Sequence, residues 1–276
     1  MRLNGTDRRP FVDIATEVHW WDSETLLVWT PGHEAYLRPI DTDERTYLNT
    51  QGAISIQPGG VWGVVLEQQG DSFLRKLVYL DSQSPREDII LGEDLPYFNA
   101  HTWSNQGWLA YVAPVVDSTS GYIGGEIFGI HPEQQAVPQQ WTHFNEVYGA
   151  VRINGYTINE LSWSPNGRYI AFWVMELLGP NPETDAGNAV IHILDTVSGE
   201  IRRYCGFATL DHTPNPPRLA WSPDSTHIAF GGDVDYDTKG YLLLALDIET
   251  GELTELSNGL YPAQGTPYIV AWGERP

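Results

Sequence analysis

The sequence predicts an all-β protein, a β-propeller of four-stranded antiparallel blades, on three observations. A twelve-residue stretch, LSWSPNGRYIAF at 161–172, returns nearly unchanged as LAWSPDSTHIAF at 219–230. The 276-residue chain holds 11 Trp and 14 Tyr, with 41% apolar and only 18% charged residues, a composition that suits strands and aromatic packing rather than disorder. No segment keeps a helical period over three turns.

With the motif tryptophan as anchor, equivalent positions are Trp20, Ile56, Trp103, Trp163 and Trp221, and Trp272 stands near the end of the chain. The intervals of 36, 47, 60, 58 and 51 residues are those of a repeat that varies in its loops. Five blades follow, at 11–50, 51–95, 96–142, 155–207 and 216–258, in a single domain spanning 1–276. The fourth unit reads as TINELSW, RYIAFWVM, AVIHILD and IRRYCGF, and the fifth as PRLAW, HIAFGG, YLLLALD and LTELSN. The last two strands of these units are joined by DTVSGE at 195–200 and DIETGE at 247–252, each with Asp at the strand end and Gly near the apex of a short hairpin. YLRPIDTDERT (36–46) and LVYLDSQSPRE (77–87) are weaker versions in the first two units. A last strand at 266–273, containing YIVAW, assists closure of a five-bladed ring; the alternative is six blades with an incomplete or truncated last blade.

The repeated motif has a local explanation. Ser164, Pro165, Asn166 and Gly167 fill a tight turn, in which Pro fixes φ and Gly supplies a residue free to take φ > 0. The tryptophan ends the innermost strand, and IAF returns as a strand buried on both faces between stacked blades. In these residues, WSPNGRYIAF and WSPDSTHIAF, the chain resembles the repeats of TolB-like and tricorn-type propellers, a WD-like group widespread in bacteria. Units one to three follow the pattern in outline: WWDSETLLVW lacks the Pro, IQPGGVWGVV lacks the Trp, WSNQGWLAY is one residue short, and Ser225 replaces the turn Gly in unit five. The resemblance implies the propeller fold across the chain and leaves function open. The same repeats precede prolyl-oligopeptidase-type catalytic domains, for which this chain has no room.

The formal charge of −21 makes nucleic acid a poor partner, because phosphates would be repelled, and favours basic partners. Lys76 and Lys239 are the only lysines, and Cys205, the single cysteine, cannot form an intramolecular disulfide. No stretch approaches the roughly 18–20 apolar residues of a membrane helix, and MRLNGTDRRP lacks the apolar core of a signal peptide. The expected location is cytoplasmic, with a trimmed exported domain as the alternative.

The loops that vary most, VVDSTSGYIGG, LLGPNPETDAGN and GGDVDYDTKG, join second to third strands in units three to five. With the connections THFNEVYGAVRING (142–155) and ATLDHTPNPP (208–217), they open on the face opposite the SPNG turn. That places a binding face on blades 3–5, with Trp141, His143, Phe144, Tyr148, His212 and Tyr122 as candidate contacts. Asp233, Asp235 and Asp237 alternate as Ca²⁺ ligands can, ahead of Gly240, against the plain alternative of a solvated acidic hairpin. His19, His33 and His101 show no zinc-site spacing, and no Gly-x-Ser-x-Gly elbow occurs. The sequence thus reads as a non-enzymatic propeller, without an obligatory cofactor, that binds a protein or peptide. The competing reading is a glycosidase-like or sugar-binding propeller using carboxylates such as Asp13, Glu17 and Glu160 at a central channel.

Overall fold

A computed structural model describes residues 15, 17–22, 24–32, 34–81, 84–155, 160–205, 216–232, 242–256 and 272. Among them the protein is all-β, with five antiparallel blades in sequence order and one four-residue helix. It divides into two compact units, one carrying blades 1 and 2 and the other blades 3 to 5, with the boundary at Gly92.

In the first unit, blade 1 consists of β1 (Glu17–Trp20), β2 (Thr25–Trp29), β3 (Ala35–Pro39) and β4 (Thr46–Leu48). Blade 2 consists of β5 (Ser55–Ile56), β6 (Trp62–Gln69), β7 (Ser72–Tyr79) and β8 (Ile89–Asp94). Each meanders in order from the first strand to the fourth. Leu27, Trp29, Ala35, Ala53 and Ile56 bury together, so Ile56 fills the anchor position that tryptophan holds elsewhere.

In the second unit, blade 3 is β9 (His101–Trp103), β10 (Leu109–Val116), β11 (Ile123–His131) and β12 (Gln135–Gln140). After α1 (Phe144–Val147), blade 4 is β13 (Val151–Ile153), β14 (Ser162–Trp163), β15 (Tyr169–Glu176), β16 (Val190–Asp195) and β17 (Ile201–Tyr204). Blade 5 is β18 (Ala220–Trp221), β19 (His227–Gly232), β20 (Leu242–Asp247) and β21 (Leu253–Glu255). The central strands read as continuous apolar runs because both their faces are covered: Ile170, Ala171, Phe172, Ile228 and Phe230 are at most 1% exposed.

Blade 4 differs from expectation at its start. Two segments share the innermost position along β15: Val151–Ile153 pair with Val174–Glu176, and Ser162–Trp163 pair with Ile170–Ala171. The blade therefore begins at Val151 rather than 155, and the connection expected over 142–155 contains both α1 and β13. Asn154, at φ 59°, follows β13, and its amide receives Trp173 N and donates to Glu160 O. The closing strand expected at 266–273 lies outside the described residues except for Trp272, whose ring meets His227 at 6.2 Å.

The repeated motif forms a corner whose hub is its serine. Ser104, Ser164 and Ser222 are all under 5% exposed, and each hydroxyl receives a backbone N–H from the returning strand. The Ser164 hydroxyl donates to Asn166 Oδ1, and that of Ser222 to Asp224 Oδ1, so Asn and Asp are interchangeable at this place. Gly167 takes φ 70° as the turn requires, and Ser225 accepts the same conformation at φ 63°. Successive corners are also clasped to one another. Asn105 and Gln106 donate to Pro165 O and Asn166 O, and Asn166 N donates to Ser225 Oγ. The tryptophans repeat the step one layer up, Trp163 Nε1 reaching Thr102 O and Trp221 Nε1 reaching Ser162 O. The twelve-residue repeat is thus a device for seating one blade on the next.

Candidate binding surface

The strands of blades 3 and 4 run from the corners to an opposite face, where β10 meets β11 and β15 leads to β16. Val116 pairs with Ile123 at that end of the β10–β11 hairpin, while Leu109 pairs with Trp103 at the corner end. Three stretches make up the face: 116–123, 143–150 and 176–188.

Each stretch is held by polar groups beneath it. In the first, Asp117 is 3% exposed and accepts Thr119 N, Ser120 N and the Ser120 hydroxyl. The Ser120 hydroxyl and these amides hold its carboxyl below the usual carboxylate range. In the second, the fully buried Glu126 of β11 accepts Thr142 Oγ1 at 2.5 Å and Asn145 N at 2.9 Å, which fixes the entry to α1. A Cβ at Gly124 would lie 2.9 Å from the backbone of Ala150 and Val151, so only glycine lets β11 approach that segment. In the third, Leu177 N donates to Ala150 O, Leu178 N to Asp185 O, and Gly187 N to Glu176 O. Asp185 accepts Asn181 N and the Thr184 hydroxyl, and its pKa is lowered, chiefly by the Asn181 amide.

Arg152 joins the second stretch to the third. It is fully buried on β13, donates from Nε to Asn154 O and from Nη1 to Pro182 O, and sits 4.6 Å from the Tyr97 ring. Burial lowers its pKa to about 10, so it stays charged at neutral pH. Tyr97 itself is at φ 70°, a strained conformation for a tyrosine, held under this guanidinium.

These stretches display a set of apolar side chains. Val116, Ile123, Val147 and Leu178 are 63%, 41%, 70% and 78% exposed. The stretches adjoin through the 149–150 backbone: a Cβ at Gly149 would lie 3.7 Å from Asp117 Oδ2, and Ala150 O receives Leu177 N.

The residues anticipated from sequence divide into rim and core. His143 is exposed, and its Nδ1 lies 4.0 Å from the exposed Glu146 carboxylate. Tyr122 is half-buried at the end of the Asp117 turn. Phe144, by contrast, is 2% exposed in the core between blades 3 and 4, where it anchors α1. Trp141 is half-buried against Gly129 and meets Trp108 and Trp163 at 5.7 and 6.1 Å, a blade-packing position. Tyr148 is half-buried over His192, its hydroxyl 3.4 Å from Nε2. His192 donates from Nδ1 to Val190 O, and burial lowers its pKa to about 4. His212 and Asp233, Asp235 and Asp237 lie outside the described residues, as do His33 and Asp13. Glu160, one carboxylate considered for sugar chemistry, is paired with Arg218 at 2.6 Å. Among the described residues no group of three or more His, Cys, Asp or Glu is placed to hold a metal, and no helix is long and apolar enough to cross a membrane.

Sequence reasoning did not single out Val116, Ile123, Val147 and Leu178, because a lone aliphatic at a strand end reads as core. The signals were the Leu177-Leu178 pair, whose members must point to opposite sides of β15's end, and the valine closing a four-residue helix.

The comparisons bear on the fold. The β-propeller domain of the Trilobed protease from Pyrococcus furiosus aligns at 11% identity with a TM-score of 0.52, over 88% of this chain and 71% of that one. The fold is a β-propeller. A prolyl endopeptidase aligns at 10% identity with a TM-score of 0.55, over 94% of this propeller and 37% of that chain. TolB from Acinetobacter baumannii aligns at 15% identity with a TM-score of 0.47, over 87% and 54%. The propeller thus spans about half the length of TolB and less of the endopeptidase. No family model and no curated protein matches the sequence.

Proposed function

We propose that this propeller is a non-enzymatic binding protein that recognises a protein or peptide through the face carrying the long loops of blades 3–5. The observation behind this reading is the set of four exposed aliphatic side chains on loops whose backbones are fixed from below. A rigid scaffold reduces the ordering entropy that binding would otherwise cost, and exposed apolar groups supply area to bury. His143 and Tyr122 stand beside this set as polar and aromatic contacts, while Phe144 and Trp141 act through packing.

Selection of peptides from a display library tests the reading. Enriched peptides should lose binding to the Leu178→Asp protein and keep it with Val197→Asp, a control 80% exposed in the β16–β17 turn at the corner end. Peptides whose binding follows Val197 instead would refute it.

A further inference from the structure

Resting on that reading, we infer that the surface formed by Val116, Ile123, Val147 and Leu178 is built for a basic amphipathic segment of a partner protein. The argument is charge complementarity around an apolar set. Every charged residue in 116–123, 143–150 and 176–188 is acidic: Asp117, Glu146, Glu176, Glu183 and Asp185. Glu146, Glu176 and Glu183 are exposed, and Asp117 and Asp185 have lowered pKa values through hydrogen bonds within their own turns. Two arginines approach, against these five carboxylates. Arg152, buried beneath the loops, is attracted to Glu183, and the exposed Arg203 of β17 lies over the Tyr148 ring at 5.7 Å, so the fringe stays net acidic.

The arrangement fits a segment with one apolar side and one lysine- or arginine-bearing side. Its apolar side covers the four aliphatic groups, and its cations reach the carboxylates at the rim. Rim charges of this kind act mostly on encounter rate and partner choice, and the apolar centre on residence time. A neutral apolar segment would satisfy the centre alone, and an acidic one would be repelled at three exposed carboxylates.

Three synthetic amphipathic peptides of equal length, Leu/Lys, Leu/Gln and Leu/Glu, serve as probes for the full chain by fluorescence anisotropy. The Leu/Lys peptide should bind saturably, at least about tenfold tighter than Leu/Gln and more weakly as salt rises, with Leu/Glu not bound. The Val147→Asp/Leu178→Asp protein adds two negative charges, so attraction by net charge alone would strengthen Leu/Lys binding to it. Loss of at least about tenfold is expected instead, with an unchanged urea transition because both side chains are exposed. Unchanged or tighter Leu/Lys binding to that variant overturns the inference, as does equal binding of Leu/Gln. If display-selected peptides of another chemistry still sense Leu178→Asp, the basic partner is refuted and the binding face stands. If no peptide senses it, both readings fall.

Discussion

Replacing Ser225 by alanine and, separately, by glycine separates two effects that meet at one corner. Ser225 takes φ 63°, where an L-residue with a Cβ is disfavoured by roughly 1 kcal/mol. Its hydroxyl accepts Asn166 N at 3.1 Å, a bond between neighbouring blades that contributes about 0.5–1.5 kcal/mol. Alanine loses the bond and keeps the strain, so it should destabilise by about 1 kcal/mol. Glycine loses the bond and relieves the strain, less the entropy gained by its unfolded chain, and should lie about 0.5–1 kcal/mol above alanine. At about 2–4 °C per kcal/mol for a domain of this size, alanine should lower Tm by a few degrees and glycine by distinctly less. Differential scanning calorimetry of the three proteins reads both quantities. An alanine variant as stable as the parent would refute the inter-blade bond, and a glycine variant below alanine would refute the strain.

Other outcomes follow from the structure. Gly129→Ala places a Cβ about 1.8 Å from the Trp141 ring, so that ring must leave its site; a loss of at least about 2 kcal/mol and altered tryptophan fluorescence are expected. Asp195, bound to Arg168 and to the Val197 and Ser198 amides, has a folded pKa of about 2. Its contribution is complete above the unfolded pKa near 3.8 and is lost as pH falls through about 2, so Asp195→Asn should flatten urea stability between those values. His192 acts with the same sign at higher pH, since burial favours its neutral form. Stability should decline as pH falls from about 6.5 toward about 4, and His192→Phe should remove that slope.

The blades were legible in sequence because their signals are local. Asp195 and Asp247 mark hairpins by accepting amides two and three residues on, and the Ser–x–Asn/Asp corner closes within six residues. β13 was not legible because its partner strand β15 lies beyond β14 in the chain, and Val-Arg-Ile offers too short a run to show a period. The site divides similarly. Loop length located the face, but exposure could not be read from residue type: Phe144 in α1 is core, while Val147, three residues on, is 70% exposed. The buried Glu126 and Arg152 defy the expectation that charges lie outside, since only tertiary contacts supply the donors and acceptors that make their burial tolerable.

Hydrogen–deuterium exchange of the full chain, with and without the Leu/Lys peptide, tests the central claim most directly. Slowed exchange confined to 116–123, 143–150 and 176–188 is the result predicted. Protection at the corners 104–107, 164–167 and 222–225 would place recognition on the repeated motif itself and contradict the account.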